Sequence, residues 1–159
     1  MRSILEHLMS GEISLDEAER LLKIMTVEEI GTLAKIDVGR EMRKGIPEII
    51  LAEGKRAEDV AQIAQGMLDE RGMAMISRAK IEQIEAVRRD VQGDVVLNAD
   101  EKVGTVVMRK KDFVIRSTGG KVGILTAGTS DIPIAEEARM VAEGMGCDVI
   151  TAYDVGVAG

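Results

Sequence analysis

The stretch from Val122 to Tyr153 constrains the fold more than any other part of the chain. Val122-Gly-Ile-Leu-Thr126 is a continuous apolar run, the pattern of a central parallel strand. Ala127-Gly-Thr-Ser-Asp131 is a loop of small, mostly polar residues. Ile134, Ala138, Val141, Ala142 and Met145 then recur at helical spacing, Gly144 and Gly146 close that helix, and Asp148-Val-Ile-Thr-Ala-Tyr153 is a second strand. Strand, helix and strand in this order make one parallel crossover, and the class is α/β. Two parallel strands and one helix cannot cover both faces of a sheet, whereas parallel sheets are normally covered on both and have more strands. The expectation is that this segment opens a larger domain and that the chain is an N-terminal piece of something longer.

The residues before it read as a small α/β domain. Ser14-Leu-Asp-Glu17 is a capping box, followed by an apolar face of Leu15, Ala18, Leu21, Leu22 and Met25. Thr26-Val-Glu-Glu29 repeats the device and predicts a second helix carrying Ile30, Leu33 and Ala34. Glu48–Ala52 reads as a short strand and Glu53-Gly54-Lys55 as a turn. Ala57 to Leu68 has helical spacing with Gly72 as its stop, and Met73–Ser77 is a buried strand. Ile81, Ile84 and Val87 mark another helix, and Val95–Leu97 with Thr105–Met108 form a hairpin. Ser117-Thr-Gly-Gly120 reads as a flexible linker, which places the domains at 1–117 and 118–159.

Composition removes several functional classes. The formal charge is −7, so a general nucleic-acid surface is not expected. Phe113 and Tyr153 are the only aromatics, too few for base stacking, and the core must be aliphatic with help from ten Met. One cysteine, Cys147, excludes an intrachain disulfide, and with one histidine, His7, soft ligands are too few for a zinc site. No apolar run approaches the ~20 residues that span a bilayer, and the N-terminus lacks an export signal, so a cytoplasmic protein without membrane contact is expected.

Chemistry concentrates in Gly128-Thr129-Ser130-Asp131, between the first strand and the helix of the crossover. Open α/β sheets bind ligands at the carboxyl ends of their strands. Amides from Thr129 to Ile132 at a helix start favour an anion such as phosphate, and the Thr and Ser hydroxyls add donors. Gly128 would let the backbone turn closely under a ligand. Asp131 can bond a ribose hydroxyl or cap the helix, and Ser, Asp and Pro133 are equally ordinary at a helix start. Upstream, Arg40 and Arg43 are three apart and can face a phosphate together, or pair with Asp37 and Glu48 in a structural tie.

Two long stretches, Val122 to Ala138 and Tyr153-Asp-Val-Gly-Val-Ala-Gly159, resemble the LarB family, which is itself similar to the AIR carboxylases of purine synthesis. Asp37, Arg40, Arg43, Gly45, Pro47-Glu48, Gly54-Lys55 and Ser77-Arg78 extend the resemblance over nearly the whole chain. It implies an AIR carboxylase-like, flavodoxin-like second domain. It also implies an enzyme that carboxylates the pyridinium ring of nicotinic acid adenine dinucleotide and hydrolyses its phosphoanhydride, releasing AMP on the way to the nickel-pincer nucleotide. The co-substrate would be CO2 or bicarbonate, and a cofactor is left open, Mg included. Carried over, Gly128, Thr129, Ser130 and Asp131 contact phosphate and ribose, with Asp154 and Gly156 beside them. Arg40, Arg43, Lys55 and Arg78 are candidate contacts from the preceding domain.

The family's pattern runs on past Gly159 to a His-Arg pair and a later catalytic cysteine. Cys147 does not match that cysteine and reads as a small buried thiol. No catalytic residue is therefore assigned, and this chain alone is expected to be inactive. A homo-oligomer is expected, because the open sheet would expose Ile124, Val149 and Ile150. Two alternatives stand beside the LarB-type reading. One is a non-catalytic nucleotide-binding or oligomerisation module, and the other an AIR carboxylase-related enzyme of purine biosynthesis.

Overall fold

The computed structural model describes residues 2–24, 27–30, 34–37 and 47–156. The chain divides into two compact units, 1–48 and 49–159. In the first, α1 (Arg2–Met9) packs on α2 (Leu15–Ile24), and β1 (Val27–Ile30) pairs antiparallel with β2 (Ala34–Asp37). The capping box at Ser14 forms on its hydroxyl side: the Glu17 amide donates to Ser14 Oγ at 3.1 Å, while the Glu17 carboxylate takes Arg20. Ala18 is buried and Leu21 and Leu22 half-buried, but Leu15 is exposed, and Met25 lies outside the described residues.

The helix expected from Thr26 is a correction. Residues 27–30 and 34–37 are a two-stranded ladder running from Val27 opposite Asp37 to Ile30 opposite Ala34. A helix nucleus is costly, and four residues before Gly31 leave too little length to offset it, whereas β-branched Val27, Ile30 and Ile36 suit strands. Thr26, Leu33, Arg40, Arg43 and Gly45 lie outside the described residues.

The second unit holds a mixed four-stranded sheet in the order β3-β4-β6-β5. Its strands are β3 (Ile50–Leu51), β4 (Met73–Ser77), β5 (Val95–Asp100) and β6 (Thr105–Lys110). β3 and β4 are parallel and joined through α3 (Ala57–Arg71), and β6 pairs antiparallel with both β4 and β5. α3 stops at Gly72, whose φ of 75° is the left-handed conformation anticipated for that glycine. α3 packs on α4 (Ile81–Asp90) and covers the face carrying Ala74, Ile76, Val106 and Met108, each at most 1% exposed.

The parallel crossover expected near the end of the chain is present: β7 (Lys121–Leu125), α5 (Ile132–Gly144) and β8 (Asp148–Ala152), with β7 and β8 in parallel register. α5 also packs on β4 and β6. The contact is close at Gly144, where a Cβ would press on the flexible ends of Met75 (Sδ, 2.9 Å) and Met73 (Cε, 3.2 Å). The architecture is thus mixed α/β throughout, as the alternation of elements requires. Residues 117–120 are tied down: the Thr118 amide donates to Gly146 O at 2.9 Å and the Asp148 amide to Gly120 O at 2.9 Å. Flexible composition here is held by the turn that starts β8.

The apolar face of the crossover also differs in detail from expectation. In the parallel register Gly123, Leu125, Ile150 and Ala152 share one face, and Val122, Ile124, Val149 and Thr151 the other. Leu125 and Ile150 are 69% and 72% exposed, while Ile124 and Val149 are half-buried. The exposed apolar pair is therefore Leu125 with Ile150, because alternation sends Ile124 and Val149 to the opposite face.

Candidate functional site

The carboxyl ends of β7 and β8 are stitched together by backbone bonds. Thr126 is the pin. Its amide donates to Ala152 O at 3.1 Å, its carbonyl accepts the Val155 amide at 3.0 Å, and its hydroxyl accepts the Asp154 amide at 3.0 Å. The Gly156 amide reaches Ala127 O at 3.0 Å. Thr126 is buried, and these four bonds set Asp154 and Gly156 directly alongside the start of the loop. Sequence reading passed over Thr126, where the signal was a hydroxyl at the end of an otherwise aliphatic run.

The loop itself begins with Gly128 in an extended conformation (φ −131°, ψ 165°), followed by one 3-10 turn, Thr129–Asp131, that leads into α5. Two expectations are corrected here. Gly128 does not supply a special turn, since any residue adopts that backbone, and a Cβ there would meet only Ser130 Oγ at 3.9 Å. What the glycine leaves is open space. Nor are all the amides from Thr129 to Ile132 available: Asp131 donates to Gly128 O at 3.3 Å and Ile132 to Thr129 O. The 3-10 geometry uses those donors, and Pro133 has none. The Thr129 and Ser130 amides make no hydrogen bond among the described residues. No side-chain cap bond is made at Gly128 or Asp131, and Thr129, Ser130 and Asp131 are all exposed. The helix start is thus capped by its own backbone, and its side chains are left for other partners.

Asp154 has a φ of 55° and Gly156 one of 69°. Beside them a polar cluster ties the tail of β8 to α5. The Tyr153 hydroxyl donates to Glu136 Oε1, and Arg139 donates to Glu136 Oε2 through Nε at 2.9 Å and Nη2 at 2.7 Å. Arg139 Nη1 also holds Glu143 at 2.7 Å. The bonds from Arg139, then from Tyr153, hold the Glu136 carboxyl below the usual carboxylate range. The same Tyr153–Glu136 bond pushes the phenol up, because ionising it would set two negative charges together. At the next residue, Ser77 Oγ donates to Glu137 Oε1, linking the end of β4 to the same helix.

Of the cations predicted upstream, Arg78 follows β4 with a φ of 53° and pairs with Glu53 at 3.3 Å. Lys55 is exposed, and its carbonyl accepts Gln83 Nε2 at 2.7 Å. Buried Gln83 also holds Ala52 O and the Lys80 amide, so it fixes the turn that carries Glu53 and Lys55. Arg40 and Arg43 lie outside the described residues. His7 pairs with Glu12 at 3.6 Å in the first unit. Cys147 is half-buried rather than buried, its Sγ 3.5 Å from Thr118 Oγ1 at the exposed turn before β8. Two surface grooves in the second unit, of about 540 and 220 Å³, are lined by none of the loop residues. Among the described residues no three His, Cys, Asp or Glu side chains gather as metal ligands, and no helix is long and apolar enough to cross a membrane.

A mixed sheet packed with helices, and a parallel crossover with a polar loop at its carboxyl ends, define a protein of the α/β class. The chain belongs to the LarB/PurE-like family, a carboxylase-related family: the model described as LarB/PurE-like N-terminal domain matches residues 27–110, ending with β6. The uncharacterized protein MJ0165 of Methanocaldococcus jannaschii is 39% identical over 163 residues, an alignment that covers all of this chain. The chain spans 62% of the length of that relative.

Proposed function

We propose that the end of the β7–α5–β8 crossover binds the phosphate and ribose of a dinucleotide. The enzyme reaction served would be carboxylation of the pyridinium ring of nicotinic acid adenine dinucleotide, with hydrolysis of its phosphoanhydride and release of AMP. The carrying observation is the pair of unbonded amides, Thr129 and Ser130, at the start of α5 with no side chain capping them. Such donors at the positive end of a helix favour a phosphate oxygen. The hydroxyls of Thr129 and Ser130 add donors, and Asp131 and Asp154 take ribose hydroxyls. Gly128 and Gly156 keep the approach clear, since a Cβ at either meets nothing closer than 3.9 Å. Lys55 and Arg78 are carried in this reading as further contacts from the preceding domain, by resemblance alone.

Membership of a carboxylase-related family supports the reaction class. The 159-residue chain is expected to bind the dinucleotide without turnover. No acid–base or nucleophilic role is assigned to His7, which lies near Glu12 in the first unit, or to Cys147, which lies at the Thr118 turn, and such steps need a group positioned at the substrate. Titrating the chain with nicotinic acid adenine dinucleotide by calorimetry, and assaying AMP with bicarbonate present, tests both halves. Saturable binding without AMP is the expected result. Absence of binding overturns the site, and catalytic AMP release overturns the assignment of no catalytic residue.

A second reading, an association module, is favoured by the exposure of Leu125 and Ile150 on one face of the β7–β8 pair. It is compatible with nucleotide binding and predicts a homo-oligomer through that face.

A further inference from the structure

We propose that Tyr153 is a positioning residue for Asp154, acting through the bond from its hydroxyl to Glu136. The inference rests on the reading above that Asp154 contacts the nucleotide. Asp154 stands at φ 55°, a conformation that L side chains rarely adopt and that the surroundings must impose. On its C-terminal side the imposition is by backbone: the Val155 and Gly156 amides are bonded to Thr126 O and Ala127 O. The Asp154 amide itself goes to Thr126 Oγ1. On its N-terminal side the hold comes from the Tyr153 side chain, whose hydroxyl reaches Glu136 on α5.

Glu136 is a firm anchor. Its other oxygen takes two bonds from Arg139, which is held in turn by Glu143 one helical turn further on. The Arg139 and Glu136 side chains are only 29% and 19% exposed. A carboxylate clamped this way cannot swing, and a phenol bonded to it is a charge-assisted contact. The helix that carries Glu136 is the one whose start carries Thr129, Ser130 and Asp131. The Tyr153–Glu136 bond therefore adds, to the bonds at Thr126 and Ala127, a side-chain tie between the Asp154 turn and the helix whose head carries the loop. A binding site held on rigid elements loses affinity when its spacing relaxes.

The test is a double-mutant cycle in the full 159-residue chain, read by calorimetric titration with nicotinic acid adenine dinucleotide. Tyr153→Phe removes only the hydroxyl and is expected to weaken binding about fivefold. In an Asp154→Ala background the same change is expected to have no further effect, because its route to the ligand is gone. Glu136→Ala approaches the bond from the helix side and should show the same loss and the same non-additivity. A purely structural contact would act equally in both backgrounds. Equal weakening with and without Asp154, or no weakening by either Tyr153→Phe or Glu136→Ala, overturns the proposal. Wild-type binding by Asp154→Ala removes Asp154 from the site, and the proposal falls with it; that failure is distinct, because it is seen before Tyr153 is touched.

Discussion

The second unit contains the same motif twice, and the two copies have different fates. In β3–α3–β4, the strand Met73–Ser77 buries Ala74, Met75 and Ile76, and α3 buries six side chains. In β7–α5–β8, no residue of either strand is buried, and α5 buries only Ala135, Met140 and Gly144. Met-Ala-Met-Ile-Ser and Lys-Val-Gly-Ile-Leu differ little as apolar runs. The difference lies in their neighbours. β4 has a strand on each side, α3 on one face and α5 on the other, while β7 has one partner strand and one helix. An apolar run states a capacity for burial, and the number of layers around it decides how much of that capacity is used. The exposed copy is also the one whose strand ends carry the candidate site, where α5 starts without a side-chain cap.

The sharpest way to break this comparison is to truncate an isoleucine in the last strand of each copy. Ile76→Ala, in a position 0% exposed, should cost about 2–5 kcal/mol in denaturant unfolding through lost transfer energy and the cavity left behind. A loss under about 1 kcal/mol would mean that the first copy is no better packed than the second.

Next in size is the loop. Ser130→Ala and Asp131→Ala should each weaken dinucleotide binding by about 1.5–3 kcal/mol, the range for bonds to a charged group. Their melting temperatures should hold, because neither side chain makes a cap bond. Calorimetry paired with thermal melts decides: unchanged affinity with a lowered melting temperature would restore an N-cap role.

A smaller effect is expected from pH. The Glu136 carboxyl is held below its ordinary range by Arg139 and Tyr153. Its contribution to stability is therefore complete above the ordinary carboxyl range and is lost as the pH falls through and below it. Glu136→Gln should flatten the acid limb of a stability–pH profile within and below that range. An acid limb identical to wild type would take Glu136 out of the account.

The smallest change is expected in the last strand of the second copy. Ile150→Ala, at a residue 72% exposed, should alter unfolding free energy by less than about 0.5 kcal/mol. If the face of Leu125 and Ile150 mediates association, light scattering should record a lower apparent mass for the variant at high micromolar concentration. A monodisperse wild-type monomer there would count against that surface.

Local signals carried much of this protein into view from sequence. The aliphatic runs with small polar loops between them marked the crossover, Gly72 marked the end of α3, and the turn at Glu53–Lys55 and the β5–β6 hairpin followed from spacing. These are properties of neighbouring residues, and a period of 2 or 3.6 reads them directly. The same rules failed at Thr26, where a capping pattern preceded a hairpin, because a four-residue match carries no information about what the chain pairs with next. Gly128 to Asp131 was visible as a loop at a strand's end, but which amides it leaves unbonded depended on a 3-10 turn that composition does not encode. Thr126, Glu136, Tyr153 and Gln83 became meaningful only as bonds across 28, 17 and about 30 residues. Local order along the chain determined what each segment could become; which polar groups met, and which apolar runs were covered, was decided by packing, since hydrogen bonds and burial are satisfied by whatever stands nearby in space.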